Sequence, residues 1–348
     1  MSARAVQIPA RIHISIGAAL TTFLLMAFCR AAVADQAGAS AQTPVIRAQS
    51  SLVLVDVIGQ DAKTGLPVRD FSKEDFHVFD NGREVPITTF DAGSATRPVI
   101  VWLTVICNEQ GIPAGSARFA GNEARFRSAL GHLAKGDTAG VAHWCDNGES
   151  KLDLVPADDS ESSIRVLAEV LRPISFEGGT TQSDAVGEVT FRKMIRLIIQ
   201  DAYRGNPQPL PVLVFLHGNH TGQPIGELNE LVNDFLETSG VVFGIKDARD
   251  HRMLPLIGEQ AQILHYMAKH TGGEYFNTAP AGYSAALQNI LEQLHSRYEI
   301  GFIPPAIDGQ RHALKVELTK EGRAKHKGVR LRFRPEYIPV AEEPEWAK

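Results

Sequence analysis

RPVIVWLTVICNEQG, residues 97–111, is apolar from Val99 to Ile106 apart from Thr104, and its first carboxylate comes only at Glu109. A run of this kind suits a buried strand covered on both faces, ending in a polar loop. Three comparable runs follow: AGVAHWC at 139–145, PVLVFLHG at 211–218 and VVFGIKD at 241–247. Between them lie segments with helical spacing near 122–134, 160–171, 182–203, 225–238 and 256–269. Residues 282–298 add another, with Ala286, Ile290, Leu291 and Leu294 along one face. Strands alternating with helices predict an α/β domain over 97–297, a Rossmann-like, doubly wound and mostly parallel sheet.

The flanks read differently. SLVLVDVI at 51–58 alternates apolar and polar residues. FHVFDNGREVPITTF at 76–90 sets Asp80-Asn81-Gly82 between two such runs, and Asn-Gly accepts the positive φ of a tight hairpin. Residues 51–91 are therefore expected to form an N-terminal antiparallel β unit. YEIGFIPP, RHALKVELT and VRLRFRPEY return to alternation over 298–340, and these C-terminal β strands are expected to pair with the N-terminal unit.

Of the 348 residues 44% are hydrophobic and 22% charged, the balance of folded protein, and the formal net charge is −5 with both signs interspersed. That balance leaves no electrostatic footprint for nucleic acid. At the start, Arg4 and Arg11 precede an apolar run from Ile14 to Phe28, and Ala32-Val33-Ala34 offers small residues for a signal peptidase. Residues 1–34 read as a secretory signal, because the apolar run falls short of the ~20 residues that span a bilayer. No stable membrane span is expected after cleavage. Residues 35–50, rich in Ala, Gln and Ser, read as a flexible lead-in. The expected location is exported, periplasmic or secreted.

The order of these phrases resembles the von Willebrand factor type A domain: GVAHWCD, then KLDLV, EGGTTQSDAV before a helix, and PVLVFLHG. TGLPVRDFSKEDFHVFDNGREVPITTFD before the domain, HTGGEYFN and LHSRYEIGFIPP after it, are similar to the VWFA-related domain proteins of Acidobacteria. The resemblance implies adhesion or assembly rather than catalysis. Its usual metal-ion-dependent adhesion site is an Asp-x-Ser-x-Ser, a Thr and an Asp that hold Mg²⁺ through oxygen. On this chain those positions fall on Thr104, Ile106, Asn108, Thr180 and His217. Thr104, Asn108 and Thr180 keep a neutral oxygen, and both anionic ligands are missing, so the site reads as degenerate. Neither Mg nor Mn, nor any other cofactor, is expected. In a type A sheet the strands ending near Cys107 and Cys145 are parallel neighbours, which makes a disulfide between them an expectation.

Other motifs carry less. His217 and His220 lack a third donor for zinc. FLHG resembles an oxyanion loop of α/β-hydrolases, but no Gly-x-Ser-x-Gly elbow occurs. Gly178-Gly179 precedes no Lys-Ser/Thr of a phosphate loop. Asp184 reads as a first-turn helix carboxylate, and Asp146 and Asp153 as solvated. The sequence thus predicts an exported, non-enzymatic protein-binding or scaffolding protein with an unidentified protein partner. The alternatives are a hydrolase using His217 in a pocket at the strand ends, and a purely structural envelope protein.

Overall fold

The computed structural model describes residues 52–93, 96–106, 123–144, 150–156, 191–203, 208–216, 225–247, 258–279, 282–342 and 344–347. All lie in one unit, Gln49–Lys348. The expected leader and lead-in fall outside the described residues.

The chain begins with β1 (Val53–Asp61), β2 (Phe76–Asp80), β3 (Arg83–Val85) and β4 (Ile87–Ala92). Asn81 (φ 47°) and Gly82 (φ 81°) close the β2–β3 hairpin with two left-handed residues, the conformation that Asn-Gly tolerates. The central part holds β5 (Val99–Ile106), α1 (Glu123–Leu130), β6 (Thr138–Trp144), β7 (Ser150–Pro156), α2 (Phe191–Tyr203), β8 (Leu210–Leu216) and α3 (Ile225–Thr238). It continues through β9 (Val241–Asp247), α4 (Gly258–Thr271), β10 (Tyr275–Thr278) and α5 (Tyr283–His295). The chain then adds β11 (Tyr298–Phe302), β12 (His312–Leu318), α6 (Lys320–Lys325), β13 (Val329–Arg332) and β14 (Glu336–Tyr337).

The central sheet has the order β10-β9-β8-β5-β6-β7, with five strands parallel and β7 antiparallel at the edge. Side chains alternate across it. Val99, Val101 and Leu103 of β5 pack with α1 and α5, whereas Ile100 and Trp102 face α2, α3 and α4. Both faces are covered, which is why these strands are uninterrupted apolar runs. This is the doubly wound α/β architecture expected from the sequence.

The remaining strands form two four-stranded antiparallel sheets, β13-β1-β11-β4 and β14-β12-β2-β3. The N-terminal strands are divided between them. All five residues of β11 are buried, so it takes a central place between β1 and β4, while the β2–β3 hairpin pairs with β12. Val55, Val57, Phe76, Val78, Tyr298, Ile300 and Phe302 share the core between the two sheets.

A charged seam joins this β layer to the central domain. Asp56 of β1 and Glu299 of β11 are register partners, so two acids stand side by side. Like charges directly opposite are destabilising. Arg97, just before β5, bridges them, with Nε 2.6 Å from Glu299 Oε2 and Nη2 3.0 Å from Asp56 Oδ2. Arg297 Nε donates to Asp56 Oδ1 at 2.8 Å, and its other nitrogens donate to the carbonyls of Leu294 and Arg97. Arg334 donates to the carbonyls of Leu54 (2.8 Å) and Leu236 (3.3 Å). Burial pushes the Asp56 carboxyl up in pKa, but Arg97 and Arg297 outweigh it and hold the group below its ordinary value. For Glu299 burial wins, and its pKa is raised. Burial pushes Arg334 down to about 10.

Candidate functional site

In an open doubly wound sheet a ligand crevice lies beyond the carboxyl ends of the strands, where the winding direction reverses. Here that point is between β5 and β8: the chain leaves β5 for β6 on one side and leaves β8 for β9 on the other. The stretches that follow these strands carry Asn108 and His217.

Of the five expected site residues, the structure describes Thr104 fully and Ile106 by its backbone, which is opposite Trp144 of β6. Asn108, Thr180 and His217 lie outside the described residues, as do Cys107, Cys145, Asp146, Asp184 and His220, together with the side chain of Asp153. The β5–β6 register is described as far as Ile106 and Trp144, one residue short of each cysteine. Thr104 is completely buried on the face shared with Ile100 and Trp102, and its hydroxyl donates to the Trp102 carbonyl at 3.3 Å. It shares the register of Ala142 on β6 and Phe215 on β8.

The donor set that the resemblance assigns is one that would hold a hard divalent cation poorly. Thr104 turns its hydroxyl back onto its own strand, and Asn108, Thr180 and His217 carry no negative charge to offset dehydration of Mg²⁺. Among the described residues no group of three or more His, Cys, Asp or Glu could hold a metal ion.

Acid–histidine pairs do occur, in places the sequence reading did not single out. Asp137, buried just ahead of β6, accepts from the backbone N–H of Val99 (2.9 Å) and Ala134 (2.8 Å), and its Oδ2 lies 2.7 Å from His295 Nε2. Asp137 precedes β6, so this pair belongs to the end of the sheet opposite the crevice, where it ties α5 to the first turn into β6. Burial raises the Asp137 pKa, but the hydrogen bonds from His295, Val99 and Ala134 prevail and depress it. A depressed carboxyl contributes stability above its unfolded value, and that contribution is lost as pH falls through the folded value. Asp137→Asn should therefore cost about 2 kcal/mol at neutral pH. The gap between variant and wild type should close below about pH 3.8, the ordinary aspartate value. Urea melts across pH 3–7 measure this. A second pair is buried among three strands: His312 Nδ1 lies 2.7 Å from Asp80, which also accepts from the Tyr337 hydroxyl at 2.9 Å.

A cleft of about 230 Å³ opens beside the seam, lined among others by Arg97, Tyr203, Gln208, Glu237 and Arg334. Its two guanidiniums are already committed, Arg97 to Asp56 and Glu299, Arg334 to the carbonyls of Leu54 and Leu236. The α3 C-terminal end and Glu237 add negative charge, so the cleft is not an anion site.

No family model and no curated protein matches this chain. Among solved structures it is similar to a von Willebrand factor type A protein from Catenulispora acidiphila (11% identity, 84% of this chain and 74% of that one, TM-score 0.39). It is also similar to an aerotolerance-related membrane protein from Bacteroides fragilis (15%, 56% and 98%, 0.37) and to the pilus adhesin SpaC from Lactobacillus rhamnosus GG (9%, 80% and 42%, 0.38). All three TM-scores are below 0.5, so the fold assignment rests on the strand order and pairing of the chain itself.

Proposed function

We propose that this chain is an exported, non-enzymatic protein-binding or scaffolding protein that engages its partner at the strand-end crevice between β5 and β8, without Mg²⁺. The reading is supported by the reversal of winding at β5 and β8, the usual place of a ligand in such a sheet; in sequence, the segments bearing Asn108 and His217 follow these two strands. Neutral donors in place of the two acids make the surface one for hydrogen-bonded recognition. The acid–histidine pair Asp137–His295 belongs to the opposite end of the sheet, and the hydrolase alternative, which rests on His217, would be shown by turnover of generic ester or peptide substrates that His217→Ala abolishes. No described helix is long and apolar enough to cross a membrane.

Capture from an extract of exported proteins tests the reading. The wild-type chain should retain a partner that Thr180→Ala together with His217→Ala releases, and equal retention by both would overturn it.

The ion content of the site makes a separate prediction. Calorimetry with Mg²⁺ or Mn²⁺ should show no binding tighter than millimolar. Thr104→Asp with His217→Asp restores two acids, but it also places a carboxylate at a fully buried position. The double variant should melt below the wild type in chelator and recover on adding Mg²⁺. Tight Mg²⁺ binding by the unmodified chain, abolished by Thr180→Ala, would falsify the degenerate-site reading.

A further inference from the structure

Against a formal net charge of −5, residues 320–334 hold seven Lys or Arg and a single acid, Glu321. Two of the seven turn inward: Arg332 donates to Glu274 and Gln293, and Arg334 to the carbonyls of Leu54 and Leu236. The others are exposed on α6, on the connection after it and in β13. That connection is fixed to the turn after β1. Gln60 pairs with Arg330, Asp61 with Val329, and the Ala62 N–H donates to the Gly328 carbonyl at 2.8 Å. Lys325 reaches the Asp70 carbonyl at 2.7 Å, which brings Arg69 to the same place. Lys63, Arg69, Lys327 and Arg330 thus share one corner of the molecule, all exposed and none with an ion-pair partner among the described residues.

The acids of this corner are engaged locally. Asp61 Oδ1 accepts from the N–H groups of Lys63 (3.0 Å) and Thr64 (2.8 Å), Asp75 accepts from Ser72 N–H at 2.7 Å, and Asp70 faces His326 Nδ1 at 3.4 Å. The same turn presents Leu66, 59% exposed and the most exposed large hydrophobic side chain among the described residues. Its backbone is held: the Leu66 carbonyl accepts from Asp61 N–H at 2.9 Å, its N–H donates to Thr64 Oγ1 at 3.3 Å, and Pro67 bridges to Gln60. A leucine on a pre-ordered turn loses little conformational freedom when it enters an apolar medium.

We propose that this corner docks on a bilayer surface rich in anionic phospholipid, with Leu66 entering the boundary between headgroups and acyl chains. Cations ringing a protruding aliphatic side chain match the two layers of such a surface, phosphate outside and hydrocarbon beneath. A surface for single-stranded nucleic acid would interleave exposed aromatic rings for base stacking, and the described residues of this corner expose none. The proposal goes beyond the strand-end crevice and shares no residue with it.

The test is cosedimentation of the full chain with vesicles of phosphatidylglycerol or of phosphatidylcholine. It is repeated with residues 49–348, the unit that holds every described residue, so that the apolar run at 14–28 does not carry the result. Phosphatidylglycerol should be bound and phosphatidylcholine not, and added salt should weaken the binding. Each cation at an anionic surface multiplies affinity about fivefold, so Lys327→Gln with Arg330→Gln should weaken it about 25-fold. Leu66→Ser should weaken it about tenfold through the lost aliphatic carbons. All three side chains are exposed, so the variants should melt with the wild type. Equal binding to both lipids, or full binding by the Lys327/Arg330 variant, overturns the proposal. Retention on heparin that Leu66→Ser leaves unchanged, without vesicle binding, assigns the corner to an acidic polymer and overturns it as well. Leu66→Ser should leave partner capture at the crevice intact, so the two readings can fail independently.

Discussion

Asp56→Ala is expected to lower the stability of the chain by about 3–5 kcal/mol, the cost of removing one partner from a buried ion pair. The substitution leaves Arg297 without its carboxylate and Arg97 with Glu299 alone, and it removes the nearest compensation for Arg334. Glu299→Gln should cost far less, within about 1 kcal/mol, because a glutamine carbonyl still accepts from Arg97 and the charge it removes is one that burial disfavours. The two acids also predict opposite pH trends. The depressed Asp56 contributes stability above its ordinary value of 3.8 and loses it as pH falls. The raised Glu299 favours folding while protonated, and that contribution is lost as pH rises through its folded value. Urea denaturation of both variants at neutral pH checks the asymmetry, and equal costs would show that the seam does not work through Asp56.

Ending the chain at His295 should be more damaging still. That truncation removes β11, leaving β1 and β4 without the strand that joins them, and β12, the partner of β2. It takes away Tyr298, Ile300, Phe302, Leu314, Val316, Leu318 and Tyr337, half of the described core between the antiparallel sheets. At roughly 1.5–3 kcal/mol per buried side chain the loss exceeds 10 kcal/mol. That is comparable with the whole stability of a typical domain, roughly 5–15 kcal/mol. The truncated protein should aggregate or melt without a cooperative transition in circular dichroism. A soluble product as heat-resistant as the untruncated chain would contradict the pairing.

The parallel sheet was legible in the sequence because its central strands are buried on both faces, so composition alone marks Val99–Ile106 and Leu210–Leu216. The hairpin at Asn81-Gly82 was legible because its backbone demands those residue types. Helix α6 was not: TKEGRAKHKG has no apolar period. Its one local signal is the cap, where Thr319 Oγ1 accepts from Gly322 N–H. The seam escaped for a different reason. Asp56 and Glu299 sit at polar positions of alternating strands, where a charge ordinarily faces water, and only the folded chain shows Arg97 and Arg297 arriving beside them. The candidate site was read through Thr104, Asn108, Thr180 and His217, of which Thr104 proves to be a core residue with an internally satisfied hydroxyl.

The placement of β11 between β1 and β4 also sets an order of events in time. Asp56 meets Arg297 across 241 residues of sequence, so the first of the described strands waits for β11 and β13 before it gains a neighbour. Closing a loop of that size contributes a slow step, while the strand–helix units of the central domain can assemble from nearby segments. Until then β1 and the β2–β3 hairpin present unpaired edges to other chains. A protein built this way is at its most aggregation-prone as a nascent chain. Its yield should respond to holding chaperones and to synthesis rate more than to the stability of the finished fold.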